Sequence, residues 1–316
     1  MSRVFRITPK RIKRVSGTVL TPDMVITVTT RQHTTDPFYN GAVEIQEQYM
    51  RMFQFDYKRA NCSKYDFDFV KLDKIFTFMY NLKHFAMTKE SLMVAQAEIE
   101  QSIKLTAQKN DLITSEVEPI PDGIYDTEKY ISTTPRILWI LKEPYDDFTE
   151  EGNPYGGGWP LYEAYDNYDA WKNPTWQPMI YISYGIINRK RWEDMNWIKD
   201  DKSMVNILKQ IAYINISKMP ALKNSNDRIL SNLYSIWRPI LLKQIDLYEP
   251  QIIIFGNTFK FFKKDLVGDN AEPSKRIDGV IHIYEKGNIK MIDAYHPNQK
   301  IISRDIYINS IIDNCL

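Results

Sequence analysis

The sequence is poor in cysteine, since its 316 residues include only Cys62 and Cys315. Two cysteines so far apart cannot form a disulfide framework, and they cannot supply the four thiolates of an iron–sulfur cluster or a Cys₄ zinc site. Isolated cysteines usually pack as small apolar side chains in proteins of a reducing compartment. We therefore expect no disulfide framework and no iron–sulfur cluster, and the sequence indicates no metal or other cofactor.

Long apolar runs and an excess of charge are also missing. No run of 18 apolar residues occurs, and the N-terminus lacks the apolar core of a secretion signal, so we expect a cytoplasmic protein that does not bind membranes. Lys and Arg number 41 against 40 Asp and Glu, which leaves a net charge of +1. Because the whole chain exerts no attraction on a polyanion, any nucleic-acid binding must depend on local basic patches.

The first 130 residues show several different patterns. Residues 1–14 contain six basic and no acidic side chains, which is typical either of an arm that contacts phosphates or of a solvated terminus. Residues 19–30 alternate as short strands do, whereas residues 43–113 show helical spacing. The acidic, proline-containing segment 114–135 predicts a linker. We therefore predict a mixed, mostly helical region over residues 1–130 and a second domain over residues 131–316.

Buried strands alternate with helices in the second domain. The predicted strands are "RILWI", "KQIAYINIS" and "QIIIFGN", followed by a hairpin that turns near Gly287-Asn288, and the clearest helices are "NDRILSNLYSIWRPILLKQIDLYEP" and "KIISRDIYINSII". This alternation predicts an α/β three-layer sandwich with a central, mainly parallel sheet. Ligands of such sheets bind beyond the carboxyl ends of the strands, so the polar residues that follow each strand are the candidates for a site.

Five such residues would meet at one edge of the predicted sheet: Glu143, Tyr145, Asn215, Asn257 and His296. Taken singly, Glu143 fits a surface loop and His296 fits a structural histidine. Together they suit cleavage of the C–N bond of a nucleoside. The carboxylate can orient a water molecule and stabilise a cationic sugar, the carboxamide can bind the edge of a base, and the histidine can stabilise charge on the departing base.

Four short motifs, in this order, resemble those of the uracil-DNA glycosylase superfamily. "KEPY" at residues 142–145 is similar to the family's Gln-Asp-Pro-Tyr, and Asn215 ends the second strand as the family's base-binding asparagine does. "FGN" at 255–257 resembles a family turn, and "HPN" at 296–298 resembles His-Pro-Ser. The resemblance covers about residues 136–313 and implies the family's three-layer α/β fold, whereas residues 1–130 have no counterpart in it.

The resemblance implies a DNA glycosylase that flips out uracil or a modified pyrimidine and hydrolyses its N-glycosidic bond, leaving an abasic site. Glu143 resembles the family's catalytic carboxylate and His296 its catalytic histidine. Asn215 and Tyr145 resemble its base-binding asparagine and its pocket tyrosine, and Trp159 is the candidate for stacking on the base. The expected DNA-contacting residues are Lys142, Lys218, Asn257, Asn298, Lys300 and Arg304, with Ile301 as the candidate wedge.

Two departures from the family pattern leave alternatives open. Glu143 replaces the usual aspartate, and Lys142 replaces a neutral residue beside it, where its charge would lower the proton affinity of the carboxylate. A catalytically silent nucleic-acid-binding module of the same fold therefore stays possible. The altered pocket loop and the 130 additional N-terminal residues favour a non-standard substrate, which leaves open a glycosylase that acts on modified cytosine in phage DNA, in antiviral defence instead of DNA repair.

Overall fold

The computed structural model describes residues 4–15, 17–22, 24–32, 34–71, 88–166, 169–221 and 226–316. Contacts divide the chain into two compact units, residues 1–86 and 87–316. This boundary lies well before the predicted one at residue 130, because the segment that follows residue 87 packs into the second unit. No helix within the described ranges is long and apolar enough to cross a membrane.

The first unit is built mainly from strands in its described part. Its elements are β1 (Val4–Pro9), β2 (Lys13–Val15), β3 (Thr18–Leu20), β4 (Ile26–Thr29), α1 (Val43–Phe53) and β5 (Phe67–Lys71). One antiparallel sheet has the order β4-β1-β5, and β2 pairs with β3. The short strands predicted over residues 19–30 are confirmed. The expected helical segment at 69–85 begins as strand β5, and the rest of it lies outside the described residues.

The basic N-terminal segment is not a free arm, because residues 4–15 largely form β1 and β2. Lys10 lies 3.0 Å from the carboxylate of Asp68, while Arg11 and Lys13 lie 3.2 and 3.3 Å from that of Asp66. These carboxylates offset part of the positive charge that was expected to contact phosphates.

The second unit contains a seven-stranded sheet. Its strands are β6 (Gly123–Ile124), β7 (Ile137–Leu141), β10 (Ala212–Asn215), β11 (Ile252–Gly256), β12 (Lys275–Ile277), β13 (Ile281–Lys286) and β14 (Ile289–Ala294), and a separate small hairpin pairs β8 (Asp147–Phe148) with β9 (Pro154–Tyr155). The order is β12-β13-β14-β11-β7-β10-β6. The four strands β14, β11, β7 and β10 are parallel, and the other strands pair antiparallel at the two sides. The predicted mixed α/β fold with a mostly parallel sheet is confirmed.

Helices cover both faces of this sheet. They are α2 (Lys89–Lys109), α3 (Thr127–Ser132), α4 (Trp176–Asn188), α5 (Asp227–Tyr248), α6 (Phe259–Leu266) and α7 (Arg304–Asp313). Side chains alternate between the faces along each strand. Trp139 of β7 thus packs in the core beneath α4 and α7, whereas Leu138 packs beneath α2, α5 and α6. Asn226 caps the start of α5, because its side chain accepts hydrogen bonds from the backbone N–H groups of Arg228 and Ile229.

Short 3₁₀ helices complete the described structure. They span Tyr39–Ala42, Lys64–Asp66, Leu161–Asp166, Ala170–Lys172, Trp192–Asp194 and Lys202–Gln210.

The segment 114–135 is not a linker. Ile120 and Asp122 are fully buried, and the next two residues form β6, which pairs antiparallel with β10 at the edge of the sheet. Proline, glycine and aspartate marked this stretch as irregular chain. The chain is irregular over residues 114–122, but it then forms β6 and α3, and it contributes to the core instead of connecting two domains.

Candidate functional site

The register of the parallel strands brings the predicted site residues to one edge of the sheet. Asn215 pairs with Leu141, and Gly256 pairs with Ala294, so β7, β10, β11 and β14 end side by side. Along this edge the order is His296, Asn257, Lys142 and Asn215, spread over three strand spacings or about 14 Å. The chain passes from β7 to β10 on one side and then from β10 back across β7 to β11 on the other, so the direction of winding reverses beside β7, which is where open α/β sheets bind ligands. The predicted convergence is therefore confirmed for the backbone.

The turn that carries Glu143 is held by main-chain hydrogen bonds. The carbonyl of Lys142 accepts from the amide of Ser217 at 2.9 Å, and the carbonyl of Pro144 accepts from the amide of Ala221 at 3.0 Å. Pro144 is buried, and its ring fixes one backbone dihedral. The partly exposed carboxylate of Glu143 therefore stands on a rigid support at the end of β7.

His296 is a neutral hydrogen-bond donor beyond the end of β14. Its Nδ1 accepts from the backbone amide of Asn298 at 3.2 Å, so the ring proton is on Nε2. Burial, reinforced by the positive charge of Lys142, lowers the pKa of His296 to about 4. A Cβ at position 256 would lie 2.2 Å from Cδ2 of Leu141 and 3.0 Å from Cδ of Pro297, so the glycine leaves room for Leu141 and for the turn that carries His296.

The effect of Lys142 on His296 can be measured. We expect the ring of His296 to titrate at a pH of about 4, and Lys142→Met should raise its pKa because a like charge is removed, although burial still holds the pKa below the ordinary 6.5. NMR titration of the imidazole C–H signals gives both values. Lys300→Met is the matched control, because Lys300 is an exposed lysine of the loop that follows His296 and is not among the charges that lower the pKa of His296.

The low pKa of His296 also sets the sign of a stability change. Between pH 6.5 and about 4 the unfolded chain binds a proton at this histidine that the folded chain excludes, so the contribution of His296 to stability is present above pH 6.5 and falls as the solution is acidified. A pKa of His296 that is unchanged in Lys142→Met would show that the two side chains do not interact.

Asn215 is completely buried at the end of β10. Its backbone amide donates to Oδ2 of Asp122 at 2.7 Å, which replaces the ladder bond that the short strand β6 does not provide. Its side-chain Oδ1 accepts from the hydroxyl of Tyr213 at 3.2 Å, whereas its Nδ2 has no hydrogen-bond partner among the described residues. A buried donor without a partner costs about 1–3 kcal/mol, so this amide is suited to a ligand that accepts its hydrogen bond.

Lys218 does not belong to the DNA-contacting surface. Its side chain is fully buried, and its Nζ lies 2.6 and 2.8 Å from the carboxylate oxygens of Asp122 and 3.0 Å from Oε1 of Gln244. Burial raises the pKa of Asp122 and lowers that of Lys218, and the attraction between the two charges opposes both shifts. A buried, ion-paired ammonium cannot reach a phosphate, which corrects the prediction made from the sequence.

Tyr145 and Trp159 flank the loop that follows the turn carrying Glu143. The indole N–H of Trp159 and the backbone amide of Gly157 both donate to Oδ2 of Asp146 at 2.7 Å. Gly157 has a φ of +88°, and a Cβ there would lie 1.9 Å from the carbonyl oxygen of Glu118, so only glycine fits. Trp159 is therefore held in a defined position against the core, while Tyr145 is 48% exposed. Stacking of Trp159 on a base stays a prediction.

Exposed side chains follow His296 in the loop that leads to α7. They are Asn298, Lys300, Ile301 and Arg304, and Ile301 is 75% exposed. Oε1 of Gln299 accepts from the backbone amides of Ile301 and Ile302 at 2.6 and 2.8 Å, so the loop is braced from within. Asn257, at the end of β11, is also exposed. These five predicted DNA-contacting residues are thus accessible at or near the edge that carries His296.

Two residues of this edge were not predicted from the sequence. Tyr213 could have been found, because residues two apart on a strand share a face and it precedes Asn215 by two positions. Asp122 gave no signal, since it lies in a stretch that resembled a linker. The described residues contain no group of three or more His, Cys, Asp or Glu side chains that could hold a metal ion.

Comparison with known proteins adds a match outside this site. Residues 1–69 match DUF6140, a family of unknown function. No curated protein matches the sequence. The family match covers only the first unit, so the candidate site in the second unit must be interpreted from its own geometry.

Proposed function

We propose that the chain is a DNA glycosylase of the uracil-DNA glycosylase superfamily that excises uracil or a modified pyrimidine. One observation carries the proposal: Glu143, Asn215 and His296 lie along the carboxyl edge of four parallel strands, as a carboxylate, a buried amide with an unpaired donor, and a neutral imidazole donor. Each of these groups has a distinct task in hydrolysis of a nucleoside C–N bond, and the three together account for the whole reaction.

The mechanism divides the reaction between the two ends of the crevice. As the bond from the sugar C1′ to the base nitrogen breaks, its electron pair moves onto the base, and the Nε2–H of His296 stabilises the resulting negative charge at a carbonyl oxygen. Glu143 stabilises the oxocarbenium-like sugar and takes the proton of the water molecule that attacks C1′. Asn215 holds the edge of the flipped base, so that the leaving group stays aligned with His296.

Lys142 lies where it can support both DNA binding and the chemistry. Lys142 directly follows β7, between the ends of β10 and β11, and its charge adds to the effect of burial in lowering the pKa of His296. A lysine at this point keeps the histidine neutral and offers a contact to a phosphate of the flipped nucleotide.

The test is the formation of abasic sites in DNA. Oligonucleotides with uracil, thymine, cytosine or 5-modified cytosine are incubated with the wild-type protein and with the double variant Glu143→Gln/His296→Ala, and the abasic strand is cleaved with alkali. We expect strand cleavage for one of these bases with the wild type alone. DNA binding without any base release would instead identify the silent binding module.

A bulky 5-substituted pyrimidine is a second candidate substrate. Tyr145 resembles a residue that packs against C5 of the base, yet it is 48% exposed, so its ring is not locked into the protein core. The same set of oligonucleotides decides between the candidates. Efficient wild-type excision of a bulky 5-modified cytosine would show that Tyr145 does not close the pocket, whereas excision of uracil alone would support its predicted role.

Binding to DNA is expected to weaken steeply with salt. Lys142, Lys300 and Arg304 are accessible cations near the crevice, and each phosphate contact that is lost should flatten the slope of log affinity against log salt by about one. Fluorescence anisotropy from 50 to 200 mM salt measures the slope for each Gln variant.

Lys129→Gln is the matched control for the salt experiment, because α3 directly precedes β7 and so lies toward the opposite end of the sheet. If the slope of log affinity against log salt is the same for Lys142→Gln as for the wild type, Lys142 does not contact a phosphate.

A further inference from the structure

Tyr213 and Asn215 form a buried pair on one face of β10. The phenol hydroxyl lies 3.2 Å from Oδ1 of Asn215, and both side chains are buried, with Asn215 at 0% and Tyr213 at 6% exposure. Oδ1 therefore has a donor, whereas Nδ2 has no partner among the described residues. The amide thus offers two unpaired N–H groups.

The alternative orientation of the amide is less favourable. If the amide were rotated by 180°, Nδ2 would donate to the phenol oxygen, and both Oδ1 and the phenol proton would be left buried without a partner. The observed orientation leaves only Nδ2 unpaired. Burial, together with the nearby Asp122 and Tyr145, raises the pKa of Tyr213, so the hydroxyl keeps the proton that it donates. The bond from the Asn215 backbone to Asp122 fixes the main chain beneath the amide.

The polarity of this amide matters because pyrimidines differ along the edge that it would bind. Uracil presents a keto oxygen at C4 and an N–H at N3, whereas cytosine presents an amino group at C4 and an acceptor at N3. A carboxamide that rotates freely can pair with either base, but a carboxamide held in one orientation can pair fully with only one of them. The mismatched base would leave buried polar groups unpaired.

We propose that Tyr213 is a specificity-determining residue, whose hydroxyl fixes the orientation of the Asn215 amide and so sets the choice between keto and amino pyrimidines. This inference rests on the proposed glycosylase function. Tyr213 acts through Asn215 and does not contact the reacting atoms, so it is a positioning residue. Its loss should change the ratio of affinities for two bases more than it changes the affinity for DNA.

The experiment measures base choice without chemistry. Oligonucleotides that contain 2′-fluoroarabino-uridine or 2′-fluoroarabino-cytidine with the same 5-substituent resist cleavage, and their dissociation constants are compared by anisotropy. The wild type should prefer one of the two bases by about ten- to hundredfold, whichever base that is. In Tyr213→Phe the preference should fall to about threefold or less, while binding to DNA without a target base stays unchanged.

Three further variants isolate the hydroxyl. Tyr130→Phe also removes a buried tyrosine hydroxyl, which donates to the Tyr248 carbonyl away from this edge, and should keep the wild-type ratio. The ratio of dissociation constants for the two bases should be the same in Asn215→Ala and in Asn215→Ala/Tyr213→Phe, because Tyr213 acts only through Asn215. Tyr213→Met removes the same hydroxyl and replaces Tyr213→Phe if that variant does not fold.

The outcomes separate the inference from the function on which it rests. The role of Tyr213 is overturned if Tyr213→Phe keeps the wild-type ratio of dissociation constants for the two bases. It is also overturned if the wild type binds both bases without preference. Either result leaves the glycosylase proposal intact. The proposed function, and this inference with it, is overturned if two results occur together: the protein binds target oligonucleotides no better than DNA without a target base, and it releases no base from cleavable DNA.

Discussion

Replacing Lys218 with methionine is expected to lower the free energy of unfolding by about 3–5 kcal/mol, because the change leaves Asp122 as a fully buried carboxylate without its counter-charge. The carboxylate would keep hydrogen bonds from Asn215 and Gln244 but lose both contacts to the ammonium. Urea unfolding followed by circular dichroism, with linear extrapolation to water, gives the difference.

The exposed pair Lys89–Glu128 is the control for this prediction. Its atoms are as close, at 2.7 Å, but both side chains are exposed to solvent, so Lys89→Met should change the free energy of unfolding far less than Lys218→Met does. The double variant Asp122→Asn/Lys218→Met should be more stable than Lys218→Met alone, because no buried charge is left behind. A loss below about 1 kcal/mol for Lys218→Met would mean that the buried pair is not formed in solution.

Base release is expected to slow by about 10²- to 10³-fold when either Glu143 or His296 loses its functional group. Removal of one electrostatic stabiliser typically raises a barrier by about 2–4 kcal/mol. Glu143→Gln keeps the shape of the side chain but lacks the carboxylate that is proposed to take the proton of the water molecule, and His296→Ala removes the proposed hydrogen-bond donor to the leaving base. Single-turnover excision from the preferred oligonucleotide measures both rates.

His282→Ala and Glu150→Gln serve as controls for the catalytic prediction. His282 lies on β13, outside the four parallel strands, and Glu150 is an exposed residue of the loop that follows the turn carrying Glu143. Both variants should retain the wild-type rate. If Glu143→Gln or His296→Ala reacts within about threefold of the wild type, the proposed role of that residue is wrong.

The sequence predicted the elements of the second unit well, because strongly periodic and continuously apolar segments carry most of the information. β7, β11 and α5 lie where "RILWI", "QIIIFGN" and the helical pattern before Glu249 indicated. The boundary between the units was harder to predict. Amphipathic spacing shows that α2 is a helix, but it does not show on which sheet the apolar side packs, and only the structure assigns Leu92 and Ile99 to the core of the second unit.

The candidate site shows the same division between local and long-range information. Glu143, Asn215 and His296 follow strands in the sequence, so their meeting at one edge could be predicted from the rule for parallel sheets. The burial of Lys218 could not, because its partner Asp122 lies 96 residues away along the chain. A lysine just beyond a strand looks like a phosphate contact until the structure shows that a carboxylate already neutralises it.

The position of α2 and β6 determines where the protein can be shortened. A fragment that begins at residue 131 would lack the helix whose buried side chains Leu92, Ile99 and Ile103 cover one face of the sheet, and it would expose β10 as an unprotected edge strand. Open edges beside uncovered apolar surface favour association between chains. Recombinant truncations should therefore retain the chain from about residue 88 onward, and a fragment that starts at the linker suggested by composition would be prone to aggregate.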